Sequence, residues 1–223
     1  MKSNEKGYYP DYLKKYVEKE TLDRLGKELP PLSDGNLLIA GGGLDLTGKT
    51  TTFNNLAQAT GATKVYCMDK NPLTSMRKLF DKAPTVMRYL YYIGVPLLNY
   101  QRLENLREQG NVLLDQSVYG TIAYHLAHGL DSKFLKLIPP PLLNQIDALL
   151  FFTVPRKVRL ERLEQRKQQD PSKVTFSDRK SFEVGEKVEK HYLEIKPEIT
   201  SIVTTHDQPE MKVVETILGN LHI

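Results

Sequence analysis

Gly43-Leu44-Asp45-Leu46-Thr47-Gly48-Lys49-Thr50 fits the pattern G-x-x-x-x-G-K-[ST]. No other feature constrains the fold so strongly, because this loop works only between a strand and a helix. The flanks supply both. Asn36-Leu37-Leu38-Ile39-Ala40 is a short apolar run of strand length. Thr50 to Ala59 predicts a helix, with Phe53, Leu56 and Ala57 at helical spacing. The glycines let the backbone wrap closely around an anion, since they tolerate dihedrals that other residues avoid. Several N–H groups then point inward, and the helix adds the positive end of its dipole. Gly43, Leu44, Asp45, Leu46, Thr47, Gly48, Lys49, Thr50 and Thr51 are therefore the candidate nucleotide-binding residues. Lys49 is expected to reach the β- and γ-phosphates, and the Thr50 hydroxyl to ligate Mg²⁺.

The rest of the chain alternates strands with helices. Lys64-Val65-Tyr66-Cys67-Met68 reads as a second strand, Asn111 to Asp115 as a third, Asp147 to Val154 as a fourth and Thr200 to Thr204 as a fifth. Between them, one helix is expected from Thr85 to Gln109, others over Tyr119–Leu130 and Ser132–Asn144, and an arginine-rich one after Pro155. Gln168 to Ser181 is polar and reads as a mobile loop, followed by a helix from Phe182 to Ile195 and a last one over Pro209–Leu221. The fourth strand is almost wholly apolar, as in the middle of a parallel sheet. The expected fold is α/β, with a five-stranded parallel sheet between helical layers. Residues 1–35 read as a helical extension before the main domain, 36–223. Tyr12, Leu13, Tyr16, Val17, Leu22 and Leu25 form an apolar stripe there, suited to packing on the domain or to a dimer contact.

Composition excludes some classes. The 223 residues carry a net charge of +4, which suits anionic small molecules and is too weak and dispersed to argue for nucleic acid. Cys67 is the sole cysteine, so no intrachain disulfide forms, consistent with a cytoplasmic setting. No apolar stretch is long enough to span a bilayer, and no membrane partner is expected.

Other residues suggest chemistry. Asp115 closes the third strand, where parallel-sheet ligands gather, and reads as part of a Mg²⁺ shell or else as a cap for the next helix. Asp45 suits orientation of a substrate hydroxyl or a water, or stabilisation of the turn. Arg159, Arg162 and Arg166 share one helical face ahead of Lys167, Lys173, Arg179 and Lys180. They read as phosphate-binding forks below a closing loop, or as a solvated face paired with Glu161 and Glu164. Tyr89, Tyr91, Tyr92 and Tyr100 crowd one helix, where base stacking competes with a core role. His125 and His128 read as ordinary helix residues.

Four segments resemble the thymidylate kinase group of P-loop nucleoside monophosphate kinases. Gly43 to Thr51 is similar to that family's G-L-D-x-x-G-K-[ST]-T loop. NVLLDQSVYGTIAY, residues 111–124, resembles its strand ending in D-R-Y with the following S-x-A-Y helix. VPRKVRLERLEQR, residues 154–166, resembles its V-P-x-x-x-x-x-E-R-x-x-x-R helix, and Thr204 to Leu218 its final strand and helix. The resemblance implies ATP as donor, Mg²⁺, a nucleotide or nucleoside acceptor, and leans towards a homodimer. It assigns Lys49, Asp45, Arg162 and Arg166 to catalysis, with Arg162 and Arg166 reaching donor phosphates or adenine, and a lid at about 167–181. It places Thr50 and Asp115 at the metal, and Arg77, Tyr91 and Gln116 toward the acceptor.

Two departures stand out. The family's D-R pair is Asp115-Gln116 here, and a neutral Gln cannot replace a bidentate cationic fork. The usual arginine-proline-glycine segment is replaced by Met68-Asp69-Lys70-Asn71-Pro72, with Arg77 further on as a substitute. A thymidylate kinase-like enzyme leads, then a deoxynucleoside kinase, then a non-catalytic nucleotide-binding protein on a kinase scaffold.

Overall fold

The structure, a computed structural model, describes residues 36–66, 72–138, 142, 146–171, 174, 176–194 and 200–221. The expected N-terminal helix falls on residues 1–35 and lies outside them, as do Cys67, Met68 and most of the Pro139–Asn144 stretch.

Five strands form one sheet: β1 Leu38–Gly43, β2 Thr63–Val65, β3 Val112–Leu114, β4 Ala148–Thr153 and β5 Ser201–Thr204. Their order is β2-β3-β1-β4-β5, and every pairing is parallel. The helices are α1 Lys49–Thr60, α2 Arg77–Phe80, α3 Thr85–Leu98, α4 Tyr100–Gln109, α5 Val118–Ala127, α6 Arg156–Gln169, α7 Phe176–Glu194 and α8 Glu210–Leu221. Short 3₁₀ turns cover Pro72–Met76 and Ser132–Leu137.

Side chains alternate across a strand, so a sheet covered on both faces needs apolar residues at every position. Leu38, Ala40, Val112, Leu114, Leu149 and Phe151 enter one core with residues of α3, α5 and α7. Ile39, Leu113, Leu150 and Phe152 enter the other with Phe53 and Leu56 of α1 and Val213, Val214 and Ile217 of α8. At the far end of the sheet, Asp147 accepts from the Leu38 amide at 2.7 Å and pairs with the buried Arg107 at 2.8 Å. That junction ties α4 to the starts of β1 and β4 and leaves the carboxyl ends of the strands for binding.

Several boundaries differ from expectation. β1 runs on through Gly41, Gly42 and Gly43, because these pair with Leu150, Phe151 and Phe152 of β4. The single helix expected over Thr85–Gln109 is two. Pro96 lies inside α3 and cannot donate the usual backbone bond, and the chain turns at Asn99 before α4. The stretch read as a loop, Gln168–Ser181, is largely helical: α6 runs to Gln169 and α7 starts at Phe176. Its Gln, Arg and Lys residues are good helix formers, and polarity alone does not signal a loop. The helix is then anchored by buried Val188 and Tyr192.

Candidate active site

The loop between β1 and α1 is main chain bent to a fixed shape. Gly43 has φ +117° and Gly48 φ +89°, both in the region that favours glycine. A Cβ on Gly43 would lie 2.2 Å from the Phe152 carbonyl oxygen, so β4 leaves no room there. Leu46 also takes a positive φ, 67°, and the turn is closed by the Thr47 hydroxyl donating to the Leu44 carbonyl at 2.8 Å. Strain of this kind persists only where surroundings over-determine it.

The surroundings are side chains from distant segments. The Arg159 Nε donates to the Asp45 carbonyl at 3.1 Å, and its guanidinium covers the Phe182 ring at 4.5 Å. Arg162 donates to the Leu46 carbonyl at 2.9 Å and to the Thr205 carbonyl at 2.8 Å. The Thr205 hydroxyl in turn donates to the Thr47 carbonyl at 2.7 Å. Burial pulls both guanidinium pKa values down, by favouring the neutral form. Two arginines thus brace the loop from behind. Below β1, Tyr192 of α7 is fully buried, and burial pushes its hydroxyl pKa up.

Lys49 lies across its own loop, its ammonium donating to the Leu44 carbonyl at 2.6 Å and the Gly43 carbonyl at 3.1 Å. Beside it, the Thr50 hydroxyl donates to Asp115 Oδ2 at 2.9 Å, and Lys64 Nζ stands 3.5 Å from the same oxygen. Asp115 is 6% exposed, and the cap of α5 is Ser117 instead, whose side chain accepts from the Gly120 amide. Two hard oxygen donors 2.9 Å apart are spaced as adjacent corners of an octahedral Mg²⁺ shell, whose bonds of about 2.1 Å put neighbours at about 3 Å. The pair fits the cation. Among the described residues no three His, Cys, Asp or Glu side chains converge, so phosphate and water oxygens would complete such a shell.

The same cleft, about 350 Å³, continues away from the loop to a second wall. Tyr92 donates to Asp81 Oδ1 at 2.7 Å, and Arg77 Nε lies 3.7 Å from Asp81 Oδ2. Burial and this bond to a carboxylate both push the Tyr92 pKa up. Arg88, Tyr124 and His125 line the same cleft. Burial holds the His125 pKa down to about 4, against a backbone bond to Thr121 that raises it, so the imidazole is neutral near pH 7.

A family model for thymidylate kinase matches residues 42–217. The chain belongs to the thymidylate kinase family. It is an ATP-dependent nucleotide kinase of that family. The fold is that of a thymidylate kinase from Candida albicans, with 21% identity, 84% of this chain and 92% of that one covered, and a TM-score of 0.64. A deoxyadenosine kinase from M. mycoides covers 83% of this chain and 99% of its own at 15% identity and a TM-score of 0.60. A thymidylate kinase from Ehrlichia chaffeensis covers 85% and 100% at 18% identity and 0.56. No curated protein sequence matches significantly.

In this kinase the loop residues, Asp115, Gln116, Arg77 and Arg166 all reach one cleft. Arg162 is spent on the loop backbone and on Thr205. Tyr91 is no stacking platform for a ligand: it is buried, its ring stacks on Phe80 at 4.6 Å, and its hydroxyl donates to the Leu73 carbonyl at 3.0 Å. Lys167 is exposed and paired with Glu164. Sequence reasoning missed Asp81, Arg88 and Tyr124, and took His125 for an ordinary helix residue. The i, i+4 spacing of Arg88 and Tyr92 on α3 was the available signal.

Proposed function

We propose that this kinase transfers the γ-phosphate of ATP to thymidine monophosphate, giving the diphosphate and ADP, with Mg²⁺ bound by Thr50 and Asp115. The observation that carries this reading is the Thr50–Asp115 pair, 2.9 Å apart, lining one cleft together with the phosphate loop, Lys49 and Arg77. Thr50 and Asp115 would hold Mg²⁺, which would supply charge neutralisation to the phosphates. The loop amides bind the donor phosphates, and Lys49 leaves its carbonyls to meet the β- and γ-phosphates. Asp45 faces the acceptor, and Arg166 adds positive charge as phosphoryl transfer develops, while Lys173 and the Arg179 side chain, expected in a lid, lie outside what the structure describes. Such transfer needs positioning and charge neutralisation more than covalent chemistry.

A deoxynucleoside acceptor is the second reading, and uncharged Gln116 in the cleft favours it. The test is ADP release from ATP and Mg²⁺ across deoxynucleosides and their monophosphates. Stimulation strongest with thymidine monophosphate is the expected result. Stimulation by a nucleoside alone selects the second reading, and silence across the panel with ATP binding intact overturns both.

A further inference from the structure

Arg88 is 8% exposed and lines the cleft, yet its side chain has no hydrogen bond or ion pair with any described residue. Its guanidinium stands 5.6 Å from the centre of the Tyr124 ring, a contact that replaces only part of the lost hydration. The neighbouring cations are occupied. Lys49 rests on loop carbonyls, Arg77 on Asp81, and Arg162 on Leu46 and Thr205. Asp81, the carboxylate on this wall, is taken by Arg77 and Tyr92. His125 beside it carries no charge near pH 7.

A buried cation is costly unless an anion meets it, and an arginine fork matches phosphate oxygens two at a time. We propose that Arg88 is the binding site for the acceptor's own phosphate, which makes the acceptor of this kinase a nucleoside monophosphate and not a nucleoside. The inference rests on the nucleotide-kinase reading above and settles its two arms. It also relocates a charge. The cation that grips the acceptor comes from α3, while Gln116 at the end of β3 stays neutral.

The test is calorimetric titration of the full chain, without ATP, with the four common deoxynucleosides and their monophosphates. The intact protein is expected to bind the monophosphate of its preferred base about 30-fold more tightly than the nucleoside, as a charge-assisted contact implies. Arg88→Met should shrink that preference to about 3-fold or less, with ATP affinity retained, and Arg88→Lys should keep most of it. A preference that survives Arg88→Met overturns the proposal, as does an equal loss for both ligand forms, which would mark a base-reading or structural residue. Where Arg88→Met does not fold, the unaltered protein still decides, since equal affinity for nucleoside and monophosphate also overturns it. Binding of no panel member by a protein that binds ATP would remove the kinase reading itself.

Discussion

At the loop end of the cleft the binding surface is main chain, and side chains hold it in place from behind. At the acceptor end the surface is side chains, held by other side chains. Arg159, Arg162 and Thr205 grip carbonyls of Asp45, Leu46 and Thr47, so the cradle's shape depends on residues that need not touch a ligand. Tyr92, Asp81 and Arg77 hold one another, and the Arg88 side chain has only the Tyr124 ring beside it, with no hydrogen bond or ion pair among the described residues. The difference teaches where specificity can vary. Amide groups offer the same donors whatever the side chains are, so the phosphate end tolerates change at positions that neither shape the loop, as Gly43 and Gly48 do, nor brace it. The acceptor end is rewritten whenever a side chain on α2, α3 or α5 changes.

The contrast is broken first at Lys49. Lys49→Ala should cut kcat/KM by about 10³-fold with little change in melting temperature, because its two bonds are to half-buried carbonyls of its own loop, while the proposed role puts its charge at the transferring phosphate. ADP release and a thermal melt measure the two effects separately. An activity loss under tenfold would remove Lys49 from the chemistry.

The next largest effect concerns pH. His125 is 2% exposed and held neutral, with a pKa of about 4 against 6.5 in an unfolded chain. The unfolded chain therefore binds the extra proton between those values, and stability falls as pH drops from about 6.5 towards 4. The full span is worth about 3 kcal/mol. His125→Phe should flatten this part of the stability-versus-pH curve in denaturant titrations. An unchanged slope would show that other groups govern acid unfolding.

Arg162→Ala should cost about 2 kcal/mol by freeing the Leu46 and Thr205 carbonyls, and should raise the KM for ATP more than that for the acceptor. The opposite split would place Arg162 at the acceptor. Tyr92→Phe is the mildest change. It removes one bond to Asp81, about 1 kcal/mol, and should raise only the acceptor KM. An ATP effect of the same size would mean that the two walls are not independent.

Much of the donor half was legible because its determinants are local. The motif spans Gly43 to Thr50, and its spacing alone fixes a strand before it and a helix after it. Strand-end Asp115 was legible from position, and it meets Thr50 across 65 residues. Arg162 illustrates the limit. Its helical face was clear, but its partner Thr205 lies 43 residues on, and only packing shows that the guanidinium serves the backbone. Tyr91 and Tyr92 show the same limit more sharply. They are adjacent in a tyrosine-rich helix, yet one is buried against Phe80 and the other faces the cleft.

The sequence by itself determined the strand–loop–helix at the phosphate site, the alternation of strands and helices, and the apolar runs that demand a sheet covered on both faces. Those are properties of neighbouring residues, set by backbone sterics and periodicity. The tertiary structure decided which strands flank β1, where the polar stretch after Gln169 becomes helix, and which side chains of α2, α3 and α5 share the acceptor wall. Those depend on how segments far apart in the chain pack, and Arg88 comes to line the cleft beside Tyr124 only once they do.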